Sequence, residues 1–452
     1  MLKKFSKVIV SSALAFGLIF TPTTFFMPQP TAQAALAVQD NRATADYWTG
    51  KNSAGNTAFV AAKDLEMINL QIRQKSGNTI IDLANYPEKV YTQWLKGKIS
   101  APMTIGKFNG TEVPKLFKGG MALTEFSYTQ AQKNCGLDVV PAVSTVRYAL
   151  TIDRTNVRLL PEEDGWFESA TDTNYDQVQG TALDPCEPVV VLINSQDKKF
   201  VLIDSRTFTG WVKSSALAFT DKATWMKYVT PQNYLTVTAS RKTIPHGKAF
   251  FQMGGKVLLR AADVQKDGTW AIYMPSIDAN GTIMEQGLNV ANDNGVTKGV
   301  LPCTENNLIK QAFRFLDEGY GWGGLGNNVD SASFVQDVYR SVGIELPRDV
   351  NRQEKVMARS ISLNGMNREQ RVDILKKTKA GSLLFAPGHV MIYLGTDDKG
   401  EPLAIHALSS YFTFEDGKTV KHYVRKVLVS DLHFMNINKV EMIDRLTTIG
   451  NF

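Results

Sequence analysis

The first apolar run of the chain lies close to its N-terminus. Three lysines within the first seven residues precede an apolar run at 8–20, and Ala32-Gln33-Ala34 follows with a small-x-small pattern. Because the apolar run is shorter than a membrane helix, residues 1–34 are predicted to be a cleavable export signal. An uncleaved membrane anchor is the alternative, but the apolar run ends at Thr21-Pro22. The mature chain is therefore expected to be secreted, periplasmic or associated with the cell envelope, with no membrane span after cleavage of the signal.

The next segment, 35–135, mixes apolar and polar positions. Apolar residues recur at loosely helical spacing over 62–75 and predict a helix, and a second short helix is expected over 87–96. No pattern in this segment indicates a catalytic or ligand-binding site. It is interpreted as a mostly helical clamp that packs against the rest of the chain.

Residues 140–220 have the pattern of short strands. Apolar residues alternate or cluster at 147–152, 189–193 and 210–212, and Asp, Asn, Gly and Pro separate these runs. This pattern predicts a small all-β barrel. A further strand-rich stretch, 221–298, is interpreted as a second barrel of the same kind.

Helical spacing returns in the last third of the chain. Apolar residues spaced i, i+1, i+4, i+5 and i+8 predict an amphipathic helix over 306–316. The glycines of Tyr320-Gly-Trp-Gly-Gly324 allow a ligand to approach the backbone closely. A second amphipathic helix is predicted to begin after Asp330 and to end at Gly343, which places Ser331 at a helix N-terminus. Free N–H groups and partial positive charge at that position stabilise an anion.

The apolar stretches on either side of Asp398-Lys399 predict two antiparallel strands. If the turn is centred on this pair, the numbers of opposing residues sum to 797. His389 then faces Leu408, and His406 lies within diagonal reach on the same face. Two histidines on one sheet face, near a helix N-terminus, match a nucleophile–base–orienter arrangement. Two unrelated strand histidines would give the same sequence pattern.

Composition and charge exclude several classes of protein. The chain has 452 residues, 43% of them hydrophobic and 21% charged, which excludes a wholly disordered chain and suggests about three domains. The net charge of +6 falls to 6 − 3 = +3 without the three leader lysines, too little to indicate nucleic-acid binding. Three cysteines, Cys135, Cys186 and Cys303, exclude a disulfide scaffold, although a Cys135–Cys186 bond stays open. Neither a metal-binding set nor a phosphate loop is visible, and no cofactor is expected.

Two parts of the chain resemble known modules. Asn156-Val-Arg-Leu-Leu-Pro161, Glu187-Pro-Val-Val-Val-Leu192 and Gly210-Trp-Val, in this order, resemble the bacterial SH3 module. Residues 303 to about 430 resemble the NlpC/P60 family of cell-wall cysteine peptidases. The blocks that carry this second resemblance are Tyr320-Gly-Trp-Gly-Gly324, Asp330-x-x-x-Phe334, Gly343-Ile-Glu-Leu-Pro-Arg348-Asp349, Gln353, Ala380-Gly-Ser-Leu-Leu-Phe385, His389-Val-Met-Ile-Tyr-Leu-Gly395 and Ile405-His-Ala407.

The resemblance implies an α+β architecture. An N-terminal clamp is followed by two small SH3-like barrels and a papain-like domain over 299–452. It also implies an exported hydrolase of the type that cleaves γ-D-glutamyl–diamino acid bonds, with peptidoglycan or its stem peptides as partner. The oligomeric state is not implied.

The resemblance assigns roles to individual positions. The nucleophile position falls on Ser331, the general base on His389 and the residue that orients the base on His406. The implied substrate-binding residues are Tyr320, Trp322, Asp330 and Asp349. Of these, Asp349 corresponds to an acidic residue that holds the free amine of a terminal L-Ala, and Trp322 could instead be a core aromatic residue.

The serine at position 331 departs from the family pattern. A thiol there would ionise readily beside a histidine and a helix N-terminus, whereas a hydroxyl must lose its proton to His389 during attack. Three interpretations stay open: a serine enzyme of low or altered activity, a degenerate peptidase that still binds peptidoglycan peptides, and an engineered Cys→Ser trap.

Overall fold

The structure, a computed structural model, describes residues 36–100, 115–244 and 250–452. The predicted export signal at 1–34 lies outside the described residues. Within the described ranges, no helix combines the length and the apolar character needed to span a lipid bilayer.

The N-terminal segment is helical, as predicted. The helix expected over 62–75 is present as a short 3₁₀ turn, Ala62–Asp64, followed by an α-helix, Leu65–Lys75. The helix expected over 87–96 begins only at Thr92, because the residues before it form a strand that pairs with the strand Val143–Thr145. In chain order the elements are α1 (Ala45–Lys51), β1 (Ala58–Val60), α2 (Leu65–Lys75), β2 (Lys89–Tyr91), α3 (Thr92–Ser100), β3 (Phe117–Lys118), β4 (Met121–Ala122), α4 (Glu125–Asn134) and β5 (Val143–Thr145).

A seven-stranded antiparallel sheet forms the first β module, with strand order β12-β6-β9-β10-β11-β7-β8. Its inner strand β9 is buried on both faces, because Val189 and Val191 belong to one apolar core while Val190 and Leu192 belong to another. The strands are β6 (Arg147–Thr151), β7 (Thr155–Arg158), β8 (Gln179–Leu183), β9 (Pro188–Asn194), β10 (Phe200–Asp204), β11 (Thr209–Lys213) and β12 (Leu217–Thr220).

The next segment is also rich in strands, as the pattern over 221–298 indicates. Helix α5 (Lys222–Val229) precedes a three-stranded sheet of order β16-β13-β19 and two separate hairpins, β14-β15 and β17-β18. The strands are β13 (Tyr234–Val237), β14 (Arg241–Thr243), β15 (Phe250–Gln252), β16 (Lys256–Leu258), β17 (Thr269–Ile277), β18 (Ile283–Ala291) and β19 (Val296–Lys298).

The C-terminal domain combines helices with a six-stranded antiparallel sheet of order β21-β26-β22-β23-β24-β25. Both predicted helices near its start are present. The elements are β20 (Cys303–Thr304), α6 (Glu305–Phe313), α7 (Ser331–Ser341), α8 (Val350–Val356), β21 (Arg359–Ser362), α9 (Arg368–Leu375), β22 (Leu383–Ala386), β23 (His389–Thr396), β24 (Pro402–Glu415), β25 (Lys418–Asp431), α10 (Met442–Arg445) and β26 (Thr448–Asn451).

The register predicted for the two histidine strands is confirmed in the middle of the β23–β24 pair. Ile392 lies opposite Ile405 and Tyr393 opposite Ala404, so both pairs sum to 797. Nearer the turn, a bulge shifts the pairing by one residue, and Gly395 lies opposite Leu403. Strand β24 also continues well past 408 as one arm of a long hairpin with β25.

Helix α7 is held against the sheet by its apolar face. Phe334, Val335 and Val338 are fully buried in the same core cluster as Ile392 and Ile405 of the sheet. The helix therefore packs on the two strands that carry the histidines.

Candidate functional site

Helix α7 begins with a capping box. The Asp330 carboxylate accepts a hydrogen bond from the Ser333 backbone N–H at 2.9 Å, and the Ser333 hydroxyl accepts one from the Asp330 N–H at 2.9 Å. Ser331 is thus the first helical residue, and it is 7% exposed. Its hydroxyl lies where unpaired backbone N–H groups and the helix dipole favour negative charge.

The second carboxylate oxygen of Asp330 is engaged with two other parts of the domain. It accepts hydrogen bonds from the Gly323 backbone N–H at 3.0 Å and from the Arg348 guanidinium. Burial by itself would raise the pKa of Asp330, but the Arg348 charge and these hydrogen bonds hold it below the ordinary value. Asp330 thus ties the glycine-rich loop to the start of α7.

The two predicted histidines contact each other directly. His389 Nε2 lies 2.8 Å from His406 Nδ1, and the two rings meet edge to face with centroids 5.0 Å apart. His406 is fully buried and stacks on Phe434 at 5.3 Å. Its other nitrogen, Nε2, lies 2.9 Å from the Ser430 hydroxyl. The structure therefore brings together the two histidines that the sequence places on one sheet face.

Both histidines are held in the neutral form. Burial lowers the pKa of His389 from 6.5 to about 4, and the positive charge of Arg445 adds to this effect. Burial also lowers the pKa of His406 well below its ordinary value, with His389 as a further contribution. A neutral imidazole can accept a proton, which is what a general base requires.

Ser331 and His389 are brought to the same region because α7 packs against β23. Among the described residues, however, no hydrogen bond joins the Ser331 hydroxyl to His389.

The residues of the glycine-rich loop meet the first β module. Tyr320 and Trp322 lie 6.5 Å and 6.2 Å from the ring of Tyr175, measured between ring centroids. Trp322 is 40% exposed, so it is not a core aromatic residue. Burial, together with the charge of Asp330, raises the pKa of Tyr320 and keeps its hydroxyl protonated. These aromatic rings form a wall to which two domains contribute.

The loop is also anchored by hydrogen bonds across the domain boundary. Gln179 of the first β module donates to the Gly323 carbonyl at 2.8 Å, and Arg348 Nε donates to the Thr181 hydroxyl at 2.9 Å. These contacts fix the wall relative to the start of α7.

Asp349 lies at the N-cap of α8 and is exposed. In the part of the chain that the structure describes, its carboxylate accepts no hydrogen bond, so it is available to a ligand. Gln353, one turn further on, donates to the carbonyls of Ala332 at 3.0 Å and Pro347 at 2.9 Å. The segment that carries Asp349 is thereby tied to the first turn of α7.

Sequence reasoning missed three residues of this region: Tyr175, Arg348 as the partner of Asp330, and Ser430. Ser430 lies opposite Ala404 of β24. Because Ala404 is two residues before His406, the side chains of Ser430 and His406 lie on the same face of the sheet. The only signal for it would have been the register of the β24–β25 hairpin, whose turn lies beyond the apolar stretch that predicted β24.

The other reactive groups lie elsewhere. Cys135, Cys186 and Cys303 are all buried and free, so no disulfide joins Cys135 to Cys186. Among the described residues, no group of three or more His, Cys, Asp or Glu side chains is arranged to hold a metal ion.

The fold and the site together define an α+β protein with a papain-like C-terminal domain, in which a helix N-terminus packs on a strand pair carrying two hydrogen-bonded histidines. Comparison with protein families agrees with this class. The chain contains an NlpC/P60 domain, since the NlpC/P60 family model matches residues 317–432. It also contains a bacterial SH3 domain, since the SH3 domain model of the SH3b1 type matches residues 166–213.

One solved structure shares the fold of this chain, and a second has a lower TM-score. An NlpC/P60 endopeptidase from Photobacterium damselae subsp. piscicida superposes with a TM-score of 0.74 at 17% identity, covering 92% of this chain and 97% of that one. An NlpC/P60 family protein from Bacillus cereus ATCC 10987 has a TM-score of 0.42 at 16% identity, covering 61% and 82%. No curated protein matches the sequence. The first likeness shows that the fold extends over nearly the whole chain.

Proposed function

We propose that this protein is an exported peptidoglycan peptide hydrolase of the NlpC/P60 type. Its substrate would be a stem peptide that begins L-Ala-γ-D-Glu, cleaved between D-Glu and the diamino acid. The observation that carries the proposal is the hydrogen-bonded pair His389–His406, which lies on the strands that pack against the N-terminus of α7.

The proposed chemistry is acyl transfer to Ser331. The hydroxyl oxygen attacks the γ-glutamyl carbonyl while its proton passes to His389. His389 then returns the proton to the amine of the leaving diamino acid, and water releases the D-Glu end by the same route. Backbone N–H groups at the start of α7 are suited to stabilise the negative oxygen of the intermediate.

The positions of the remaining site residues suggest how each would bind the substrate. Trp322 and Tyr320, with Tyr175 from the SH3 domain, provide a wall of aromatic rings. The exposed Asp349 carboxylate is suited to hold the free amine of a terminal L-Ala. Asp330 would act on the pocket indirectly, through the loop and helix that it joins.

A second function is favoured by the chemistry at position 331. Serine replaces the thiol that the family uses, and no hydrogen bond to His389 activates its hydroxyl within the described part of the chain. The alternative is a protein that binds peptidoglycan peptides through the same pocket without cleaving them. In that case the partly exposed His389 would belong to the binding surface, and the buried His406 would hold it in position.

The test compares wild type, Ser331→Cys and His389→Ala on the tripeptide L-Ala-γ-D-Glu-diaminopimelate. The hydrolase predicts release of diaminopimelate by wild type, a faster release by Ser331→Cys, and loss of at least about a hundredfold in His389→Ala, the size of a general-base contribution. If Ser331→Cys releases diaminopimelate and the wild type does not, native catalysis is refuted and the binding function is supported. If the wild type neither releases diaminopimelate nor binds the tripeptide in calorimetry, the result contradicts both functions.

A further inference from the structure

The hydrogen bonds of the histidine pair continue beyond His406. His389 Nε2 lies 2.8 Å from His406 Nδ1, His406 Nε2 lies 2.9 Å from the Ser430 hydroxyl, and that hydroxyl lies 2.7 Å from the backbone carbonyl of Asp431. The line thus has four members and ends on a carbonyl oxygen, which has no proton to donate.

This end point indicates where each proton lies. The Asp431 carbonyl can only accept, so the Ser430 O–H points at it whenever the Ser430–Asp431 hydrogen bond is formed. The Ser430 oxygen is then an acceptor for His406 Nε2–H. With His406 neutral, its Nδ1 carries a lone pair and accepts from His389 Nε2–H.

We propose that Ser430 is a positioning residue that fixes both histidines as Nε2–H tautomers and leaves the lone pair of His389 on Nδ1. The consequence for hydrolysis rests on the proposed function, but the tautomer assignment does not. In the described part of the chain Nδ1 of His389 has no hydrogen-bond partner, so it is the nitrogen free to take a proton from a nucleophile.

The surroundings make the arrangement hard to reverse. His406 and Ser430 are fully buried, and the stack of Phe434 on His406 restricts rotation of the ring. The opposite tautomers would place the His406 Nε2 lone pair against the Ser430 oxygen, unless the hydroxyl gave up its bond to Asp431. Either change loses one buried hydrogen bond.

An alanine at position 430 would remove this preference. His406 Nε2 would have no partner in either tautomer, so the protons of both histidines could shift to Nδ1. His389 would then present an N–H, and not a lone pair, at the nitrogen that faces away from His406.

The experiment is side-chain NMR on the full chain labelled with ¹⁵N-histidine, at a pH near 7. Two-bond ¹H–¹⁵N correlations distinguish a protonated Nε2 from a protonated Nδ1. His389→Gln and His406→Gln variants assign the two signals. The matched control is Ser382→Ala. Ser382 is a buried serine of the same sheet region, and its hydroxyl has no hydrogen-bond partner among the described residues.

Wild type and Ser382→Ala should both show Nε2–H on the two histidines. Ser430→Ala should show Nδ1–H or a mixture of the two forms, and Ser430→Thr should restore the wild-type pattern. A wild-type spectrum with Nδ1–H on His389 would overturn the proposal without any variant. Unchanged tautomers in folded Ser430→Ala would also overturn it.

A kinetic arm uses Ser331→Cys as the parent protein. Adding Ser430→Ala should lower kcat about tenfold, the value of one net hydrogen bond, and leave KM unchanged. Absence of hydrolysis by Ser331→Cys itself would count against the proposed function only, because the spectra decide the role of Ser430 independently. An unchanged kcat in a variant with altered tautomers would refute the catalytic consequence.

Discussion

Asp330 accepts hydrogen bonds on both oxygens of its buried carboxylate. One oxygen caps α7, and the other joins the Gly323 N–H to the Arg348 guanidinium. The sequence suggested a pocket-lining acid, and the contacts give it a structural task as well. A buried ion pair of this kind is worth little relative to an apolar pair, but removing one partner leaves an uncompensated charge.

The Asp330→Asn substitution should therefore destabilise the protein by about 3 kcal/mol. The amide keeps an oxygen for the cap, but its NH₂ group meets the Gly323 N–H and leaves the Arg348 charge unpaired. Urea unfolding of the variant and of the wild type measures the difference.

The Asp330→Asn/Arg348→Met double variant is the check on this explanation. Its loss should be smaller than the sum of the two single losses, because no buried charge is left alone. If the two single losses of stability simply add in the double variant, the broken Asp330–Arg348 ion pair is not what destabilises Asp330→Asn.

At the scale of elements, the glycine-rich loop depends on two adjacent left-handed residues. Gly323 and Gly324 have φ of +60° and +83°. A Cβ on Gly323 would lie 2.6 Å from Gln179 Cγ and 3.2 Å from the Gly180 carbonyl. Glycine is required there both for the backbone conformation and for the contact with the SH3 domain.

The Gly323→Ala variant should lose more stability than left-handed strain alone explains. Gly365 is a matched control, because it has φ +78° and a Cβ there would meet no described residue within 4 Å. Gly365→Ala should cost about 1 kcal/mol, and Gly323→Ala should cost more. Thermal unfolding measures both losses, and hydrogen exchange should be faster at 177–183 in the Gly323 variant only. Equal losses without local exchange would contradict the packing argument.

The sequence predicted local elements well and long-range partners poorly. Helices α2, α6 and α7 follow from spacing within one segment, and the 797 register follows from a short turn. Thr92 as a helix start could not be foreseen, because β2 exists only through its pairing with β5. The pairing of His389 with His406 can be predicted, because a short turn joins their strands. The position of Ser430 cannot be predicted in this way, because it depends on the length of the β24–β25 hairpin.

At the scale of the whole molecule, charged side chains of the C-terminal domain pair with charged side chains of the SH3 region. Arg340 of α7 lies 2.7 Å from Glu187 and 3.7 Å from Asp184, both in the SH3 region. Asp337, one turn earlier in α7, is buried beside Arg340. Burial raises the pKa of Asp337 to about 7; the nearby Arg340 charge opposes this shift, and Asp184 adds to it.

This shift predicts a pH-dependent stability. Between the unfolded pKa of about 3.8 and the folded pKa of about 7, the native state binds more protons at Asp337, so stability falls as pH rises. The Asp337→Asn variant should remove that loss and gain on the order of 2 kcal/mol at pH 8, with little gain at pH 4.

Urea unfolding at pH 4, 6 and 8 measures the effect. Asp317→Asn serves as control, because Asp317 is an exposed partner of Lys426 and its loss should change stability by less than about 1 kcal/mol at every pH. A gain for Asp337→Asn that is the same at all three pH values would contradict the assignment.

The hydrogen bonds from Gln179 to the Gly323 carbonyl and from Arg348 to Thr181 have a consequence for evolution. Each bond pairs a residue of the SH3 domain with one from the segment that shapes the site. A recombination event that exchanged only the SH3 domain would leave buried partners unmatched on the other side. The two domains should therefore be inherited as a single unit, and compensating substitutions should occur at these pairs when the lineage diverges.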